Sequence, residues 1–165
     1  TPLYSSAASD VYKRQIWPYL EQGENVVFAC EGDVSFYSTF TYLAETLKKQ
    51  HPEAEIIRIP GVCSPMAASA SLGIPLTIRQ QKLVVLPALY NVKELEKALD
   101  WAEVIVLMKV SSVYETVWKM LQKRDLLKNA WIVEKATTTE EKIYRDLENY
   151  PDLKLSYFSI LIIQL

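Results

Sequence analysis

Apolar residues recur along this chain in two alternating patterns, short continuous runs and stripes at helical spacing. Residues 25–30 (NVVFAC) form a run rich in β-branched side chains, the composition of a strand covered on both faces, as in a parallel sheet. Residues 54–59 (AEIIRI) form a second such run, broken by Pro60-Gly61, and further strands are predicted at 82–89, 102–108, 130–135 and 155–163. Between the first two runs, Phe36, Phe40, Leu43 and Leu47 fall at spacings of four, three and four, which predicts an amphipathic helix over 36–49. Lys48 and Lys49 suit the negative end of its dipole, and His51-Pro52 stops it.

Residues 16–22 read as the last turns of a helix closed by Gly23. Ser64 and Pro65 suit the N-cap and first position of a helix of small residues that Gly73 ends. Helices are also predicted at 92–99 and 112–121, and residues 138–148 have helical propensity. Strand and helix alternate throughout, which predicts an α/β protein with a mainly parallel or mixed sheet. A boundary between two α/β units is expected around residues 74–81.

Composition narrows the function classes. Half of the 165 residues are hydrophobic, enough for one ordinary domain or parts of two small ones. A formal net charge of −2 gives no reason to expect a nucleic-acid partner or an anionic membrane surface. No run approaches the roughly 18 apolar residues that span a bilayer. Cys30 and Cys63 are too few for a disulfide framework and read as reduced thiols of a cytoplasmic protein. His51, the one histidine, argues against a histidine-based metal site or a Ser-His-Asp triad, so no metal is expected. Residues 1–15 show neither period. Their DVYKRQ string resembles read-through translation of a sequencing adaptor, so 1–15 are set apart as a foreign leader.

Four loops follow predicted strands: EGDVSFYST (31–39), PGVCS (60–64), the strand end at Met108-Lys109, and EKATTTEE (134–141). In open α/β sheets, ligands gather where strand carboxyl ends meet helix N-termini. Gly32 permits tight backbone geometry, and Asp33 can accept hydrogen bonds from hydroxyls or amides. Each loop also reads as an ordinary capped turn, with Met108 as core filler. Together they make one rim, whose ligand the pattern does not name.

The ordered strings GDVSFYSTFTYL, RIPGVCSPMAASASLGIPL, KLVVLPA, VIVLMKV and VEKATT resemble the tetrapyrrole methylase family, within it the precorrin-2 or cobalt-factor-II C20-methyltransferase subgroup. The likeness covers about residues 16–165. It implies two α/β domains, here 16–78 as the remaining part of the first and 79–165 as the second, with S-adenosylmethionine in the cleft between them. It also implies a homodimer. By resemblance, Gly32 and Asp33 supply a cofactor loop with Phe36 packed beside it, Cys63 and Ser64 follow the PG turn, Met108 lies against the adenine, and Ala136 and Thr137 close the adenosine pocket. The implied reaction is transfer of a methyl group to C20 of precorrin-2 or cobalt-factor II in corrin ring synthesis.

Two departures bear on this. The family usually reads GDP where this chain has Gly32-Asp33-Val34, and valine lacks the fixed φ of proline, so a looser loop is expected. The family also opens with a strand and a GPGD-type loop that this sequence does not show, from which the first domain is expected to be incomplete and this stretch alone to lack activity. No catalytic residue is identified. Arg58, Arg79, Lys82 and Lys109 are candidate contacts for a polycarboxylate substrate, though each also reads as a solvated surface charge. Rival readings are another tetrapyrrole methylase, diphthine synthase, or a non-catalytic α/β ligand-binding module.

Overall fold

The computed structural model describes residues 13–87 and 92–165. The chain divides into two compact units that meet at Cys63 and Ser64, earlier than the 78/79 division read from the sequence. The helix of small residues therefore belongs to the second unit.

In the first unit, α1 covers residues 13–21, so residues 13–15 of the supposed leader continue the helix, and residues 1–12 lie outside the described chain. Helix α2 spans Phe40–Gln50, shorter at its start than the spacing predicts because Asp33 to Thr39 are spent on turns. It buries Leu43, Ala44 and Leu47, and Phe40 meets Phe28 with ring centroids 5.6 Å apart. The predicted strands at 25–30 and 54–59 are a correction. Neither joins a ladder among the described residues, and Val27, Ile57 and Ile59 are 89%, 77% and 76% exposed. β-Branched composition supplies a preference for extended backbone, but a strand exists only where a neighbour takes its N–H and C=O groups.

The second unit begins with α3, Ser64–Leu72. Its end is a Schellman motif. Gly73 stands at φ +68°, its amide donates to the Ala70 carbonyl at 3.0 Å, and the Ile74 amide donates to the Ser69 carbonyl at 3.2 Å. Strand β1 (Leu83–Leu86), α4 (Lys93–Ala98), β2 (Val104–Met108), α5 (Tyr114–Lys123), β3 (Ala130–Glu134), β4 (Lys142–Arg145) and β5 (Ser159–Gln164) follow. The sheet order is β1-β2-β5-β3-β4. β1 and β2 are parallel, while β5 inserts antiparallel between β2 and β3, and β4 hangs antiparallel on β3. The sheet is thus mixed and largely antiparallel.

The helical propensity of 138–148 is overridden: residues 142–145 are β4, followed by a short 3-10 turn. Pairing of Ile143 with Val133 and Tyr144 with Ile132 decides it, because tertiary pairing outweighs the weak propensity of a short charged segment. On one face of the sheet, Ile105, Leu107, Ile132, Leu161 and Ile163 bury into a core with Leu95, Leu99, Val117 and Leu121. On the other, Val104, Val106, Val133 and Ile162 are fully buried, and α3 packs against β3 and β5. Strands covered on both faces are uniformly apolar, which explains why β2 and β5 read as continuous runs. No helix among the described residues is long and apolar enough to cross a membrane.

Candidate functional site

In the first unit, the loops at 31–36 and 60–63 are fastened by one carboxylate. Asp33 Oδ2 accepts from the Gly61 amide at 2.8 Å, and Oδ1 accepts from the Ser35 amide at 2.8 Å and from the Ser35 hydroxyl. The Ser35 hydroxyl, the Gly61 amide and the Ser35 amide hold the Asp33 carboxyl below its ordinary pKa. An aspartate accepting from the amide two residues on makes its own turn, so the side chain supplies the bracing that a proline at position 34 would have given.

The contact is made backbone to backbone. Gly32 adopts φ +82°, and a Cβ placed on it would lie 3.5 Å from the Val62 carbonyl oxygen and 3.8 Å from the Cys63 Cα. A Cβ on Gly61 would lie 2.2 Å from the Gly32 carbonyl oxygen. Glycine at 61 is therefore required by space, a role the sequence hides because Gly61 reads simply as a strand breaker. Of the predicted residues, Gly32, Asp33 and Cys63 come together here. Phe36 is held through its amide, which donates to the Asp33 carbonyl at 3.2 Å, and its ring meets Tyr37 edge-on at 4.7 Å. Arg58 lies over the Phe40 ring at 5.8 Å.

In the second unit, Ser64 opens α3, and Met108 and the turn after Glu134 lie at the carboxyl ends of β2 and β3. Met108 is 9% exposed and pairs with Ile160, and Lys109 turns the chain at φ +57°. After β3, Lys135 and Thr137 both adopt left-handed backbone, at φ +47° and +65°. For a β-branched residue this is an outlier that neighbours must enforce. Glu141 does so: its Oε2 accepts from the Thr137 amide at 2.5 Å and from the Ser71 hydroxyl on α3 at 2.6 Å. These two donors, Ser71 first, lower the Glu141 pKa. Thr137 Oγ1 donates to the Ala136 carbonyl at 2.6 Å, so Ala136 and Thr137 share one locked turn. Glu141→Ala should release it, and faster hydrogen exchange at Thr137 with an unchanged sheet would show this. Exchange unaltered by the substitution would rule out that role.

Glu134, which the sequence shows only as the polar end of an apolar run, is 6% exposed. It accepts from Tyr144 Oη at 3.0 Å, from the Ser156 amide at 2.6 Å and from Ser159 Oγ at 3.5 Å. Burial pushes its pKa up, but the Ser156 amide and the Tyr144 hydroxyl outweigh that, and the net direction is down. A depressed carboxylate pKa contributes stability that is present above the ordinary value of 4.5 and lost as pH falls through the lowered value. Denaturant unfolding of wild type and Glu134→Gln should therefore differ most near pH 7 and converge in acid below that value. A difference independent of pH would contradict the assignment. Glu134 also lines an open cavity of about 630 Å³ with Lys135, Lys142, Lys154 and Ser156. Lys82 is paired with Glu103 at 3.7 Å, and Arg79 stands at φ +54°.

Comparison with known proteins places these loops in context. A family model for tetrapyrrole (corrin/porphyrin) methylases matches residues 6–149. The chain is 32% identical over 160 residues to the cobalamin biosynthesis protein CobIJ of Mycobacterium tuberculosis, covering 95% of this chain and 31% of that protein. It is 34% identical over 123 residues to a probable cobalt-precorrin-2 C(20)-methyltransferase of Methanocaldococcus jannaschii, covering 74% of this chain and 50% of that one. The chain thus spans about a third to a half of these relatives. Its fold resembles the crystal structure of the cobalt precorrin-4 methyltransferase CbiF, with a TM-score of 0.72 at 22% identity, over 91% of this chain and 68% of that one.

Proposed function

Because the chain belongs to the tetrapyrrole (corrin/porphyrin) methylase family, we propose that it is part of an S-adenosylmethionine-dependent C-methyltransferase acting on C20 of precorrin-2 or cobalt-factor II in corrin ring synthesis. The observation that supports this reading is the 34% identity, over 74% of the chain, to a probable cobalt-precorrin-2 C(20)-methyltransferase. The fastened loops support it. The Gly32-Asp33 and Gly61-Cys63 backbones are held in contact, and two strand ends carry turns of locked, non-standard geometry.

The residues present fit the cofactor. Asp33 spends three acceptor positions on Ser35 and Gly61, and a carboxylate has about four, so one is left for a hydroxyl. The Thr137 amide is taken by Glu141, so an adenosine contact on that turn falls to Ala136 and to the Thr137 carbonyl. Gly32, Phe36, Cys63, Ser64 and Met108 complete the proposed contacts. The bound cofactor supplies a methyl group already activated by its sulfonium charge. What the chain must add is alignment and exclusion of water, and alignment alone is worth about 7–11 kcal/mol in well-oriented systems. No acid–base pair is needed for the methyl transfer itself. A homodimer and a cytoplasmic location go with this proposal.

The test is transfer from carbon-13-methyl-labelled S-adenosylmethionine, using the full-length parent protein, with the product read by NMR. Label at C20 supports the reading. Label at another ring carbon would assign the chain to a different branch of the family, which the likeness to CobIJ keeps as the second reading. Binding of S-adenosylhomocysteine without transfer to any tetrapyrrole would leave a non-catalytic module.

A further inference from the structure

The turn joining β4 to β5 presents two large aromatic side chains to solvent. Tyr157 and Phe158 are 57% and 55% exposed, and their rings meet edge to face, 5.3 Å between centroids at 89°. Their position is fixed by the sheet. β5 runs antiparallel to β2 and β3, so its first residues, Ser159 opposite Glu134 and Ile160 opposite Met108, lie at the carboxyl ends of both. The Phe158 carbonyl accepts from the Lys135 amide at 2.8 Å. On either side of the rings the backbone is pinned, the Ser156 amide to buried Glu134 at 2.6 Å and the Ser159 hydroxyl to the Ser156 carbonyl at 2.6 Å. The Lys109 ammonium lies over the Tyr157 ring, 5.1 Å from its centroid.

We propose that Tyr157, Phe158 and Lys109 form a substrate platform, the Phe158 ring stacking on the macrocycle of a tetrapyrrole, the Tyr157 ring, perpendicular to it, meeting the macrocycle edge-on, and the ammonium pairing with one of its carboxylates. This rests on the methylase reading above. Two physical points favour that occupant over the cofactor. A pinned turn that keeps two aromatic side chains in water offers apolar contact area with little ordering cost. A fixed cation beside it attracts a polycarboxylate and repels a sulfonium. It also gives Glu134 a purpose, as the buried anchor that sets the angle of the turn.

The experiment titrates uroporphyrin, a stable polycarboxylate porphyrin, by Soret absorbance and S-adenosylhomocysteine by calorimetry, on the full-length parent protein and its variants. Tyr157→Ala and Phe158→Ala should each weaken uroporphyrin binding about tenfold, the scale of one stacked or edge-on aromatic contact, with S-adenosylhomocysteine affinity unchanged. Phe158→Tyr should retain binding, and Lys109→Gln should lower both the affinity and its salt dependence. Ring variants that bind uroporphyrin like wild type overturn the platform. So does an equal loss of S-adenosylhomocysteine, which would make the rings an adenine shelf, or a changed sedimentation mass, which would make them a self-association face. Wild type that binds S-adenosylhomocysteine but not uroporphyrin sinks the platform and spares the methylase reading. Wild type that binds neither removes both.

Discussion

Gly61→Ala is expected to abolish the close approach of the loops at 31–36 and 60–63 and, if they hold the cofactor as proposed, most of the S-adenosylhomocysteine affinity with it. The added methyl would sit 2.2 Å from the Gly32 carbonyl oxygen, a distance no carbon occupies, and the obstacle is backbone that cannot rotate away. The loops must separate, which stretches the Gly61 amide away from Asp33 Oδ2 and removes a charge-assisted hydrogen bond. Overpacking of this kind costs about 1–3 kcal/mol. Affinity should fall at least about tenfold while far-UV circular dichroism is unchanged. Gly23→Ala is the control. It stands at positive φ, unlike Gly61, and a Cβ there meets nothing within 4 Å, so it should lose stability through backbone strain without losing affinity. Equal affinity for Gly61→Ala and wild type would show that the loop contact has no part in binding.

Leu161→Ala is expected to be among the most damaging truncations in the second unit. Leu161 is fully buried at the middle of β5, opposite Leu107 on β2 and Ile132 on β3. Truncation empties the place where three strands share one core layer, with fixed backbone on both sides and little freedom to collapse. Buried leucine-to-alanine changes cost about 2–5 kcal/mol, rising with the cavity left behind, against a total of about 5–15 kcal/mol for a typical domain. Denaturant unfolding should show a lower midpoint at unchanged slope. A loss below 1 kcal/mol would mean the sheet relaxes into the space. Surface positions such as Lys93 on α4 carry no comparable burial.

These two sites mark what the sequence reveals and what it conceals. Leu161 lies in a continuous apolar run, and burial on both faces is legible directly from such a run. β1, β2, β3 and β5 were found that way, as were α2, α4 and α5 to within a few residues. The runs at 25–30 and 54–59 carry the same signal and form no ladder among the described residues, because apolar composition records a preference for burial and not the presence of a partner. β4 escaped notice because its residues, Lys142 to Arg145, are mostly exposed at a sheet edge, so no alternation or run marks them. The turns at the ends of β2 and β3 were legible as strand-end turns, whereas the loops at 31–39 and 60–64, expected at strand ends, follow no strand among the described residues. The residues that hold these turns and loops in shape were not legible. Gly61 acts by lacking a side chain, Glu141 by reaching across a turn to Ser71, and Glu134 by being buried at a position where glutamate ordinarily faces water. Each depends on a contact distant in sequence, which periodicity does not encode.

The placement of β5 also governs the order in which the second unit can form. β1 and β2 are linked through α4, and β3 and β4 by one short hairpin, so each pair can assemble from nearby residues. Neither pair touches the other in the ladder. They are joined only when β5, later in the chain than all four, enters between β2 and β3. During synthesis the two half-sheets must therefore wait with apolar edges open until Ser159 to Gln164 have emerged. Closing the sheet pairs Val104 with Gln164 across most of the unit's length, a non-local step that slows folding and exposes the waiting edges to aggregation.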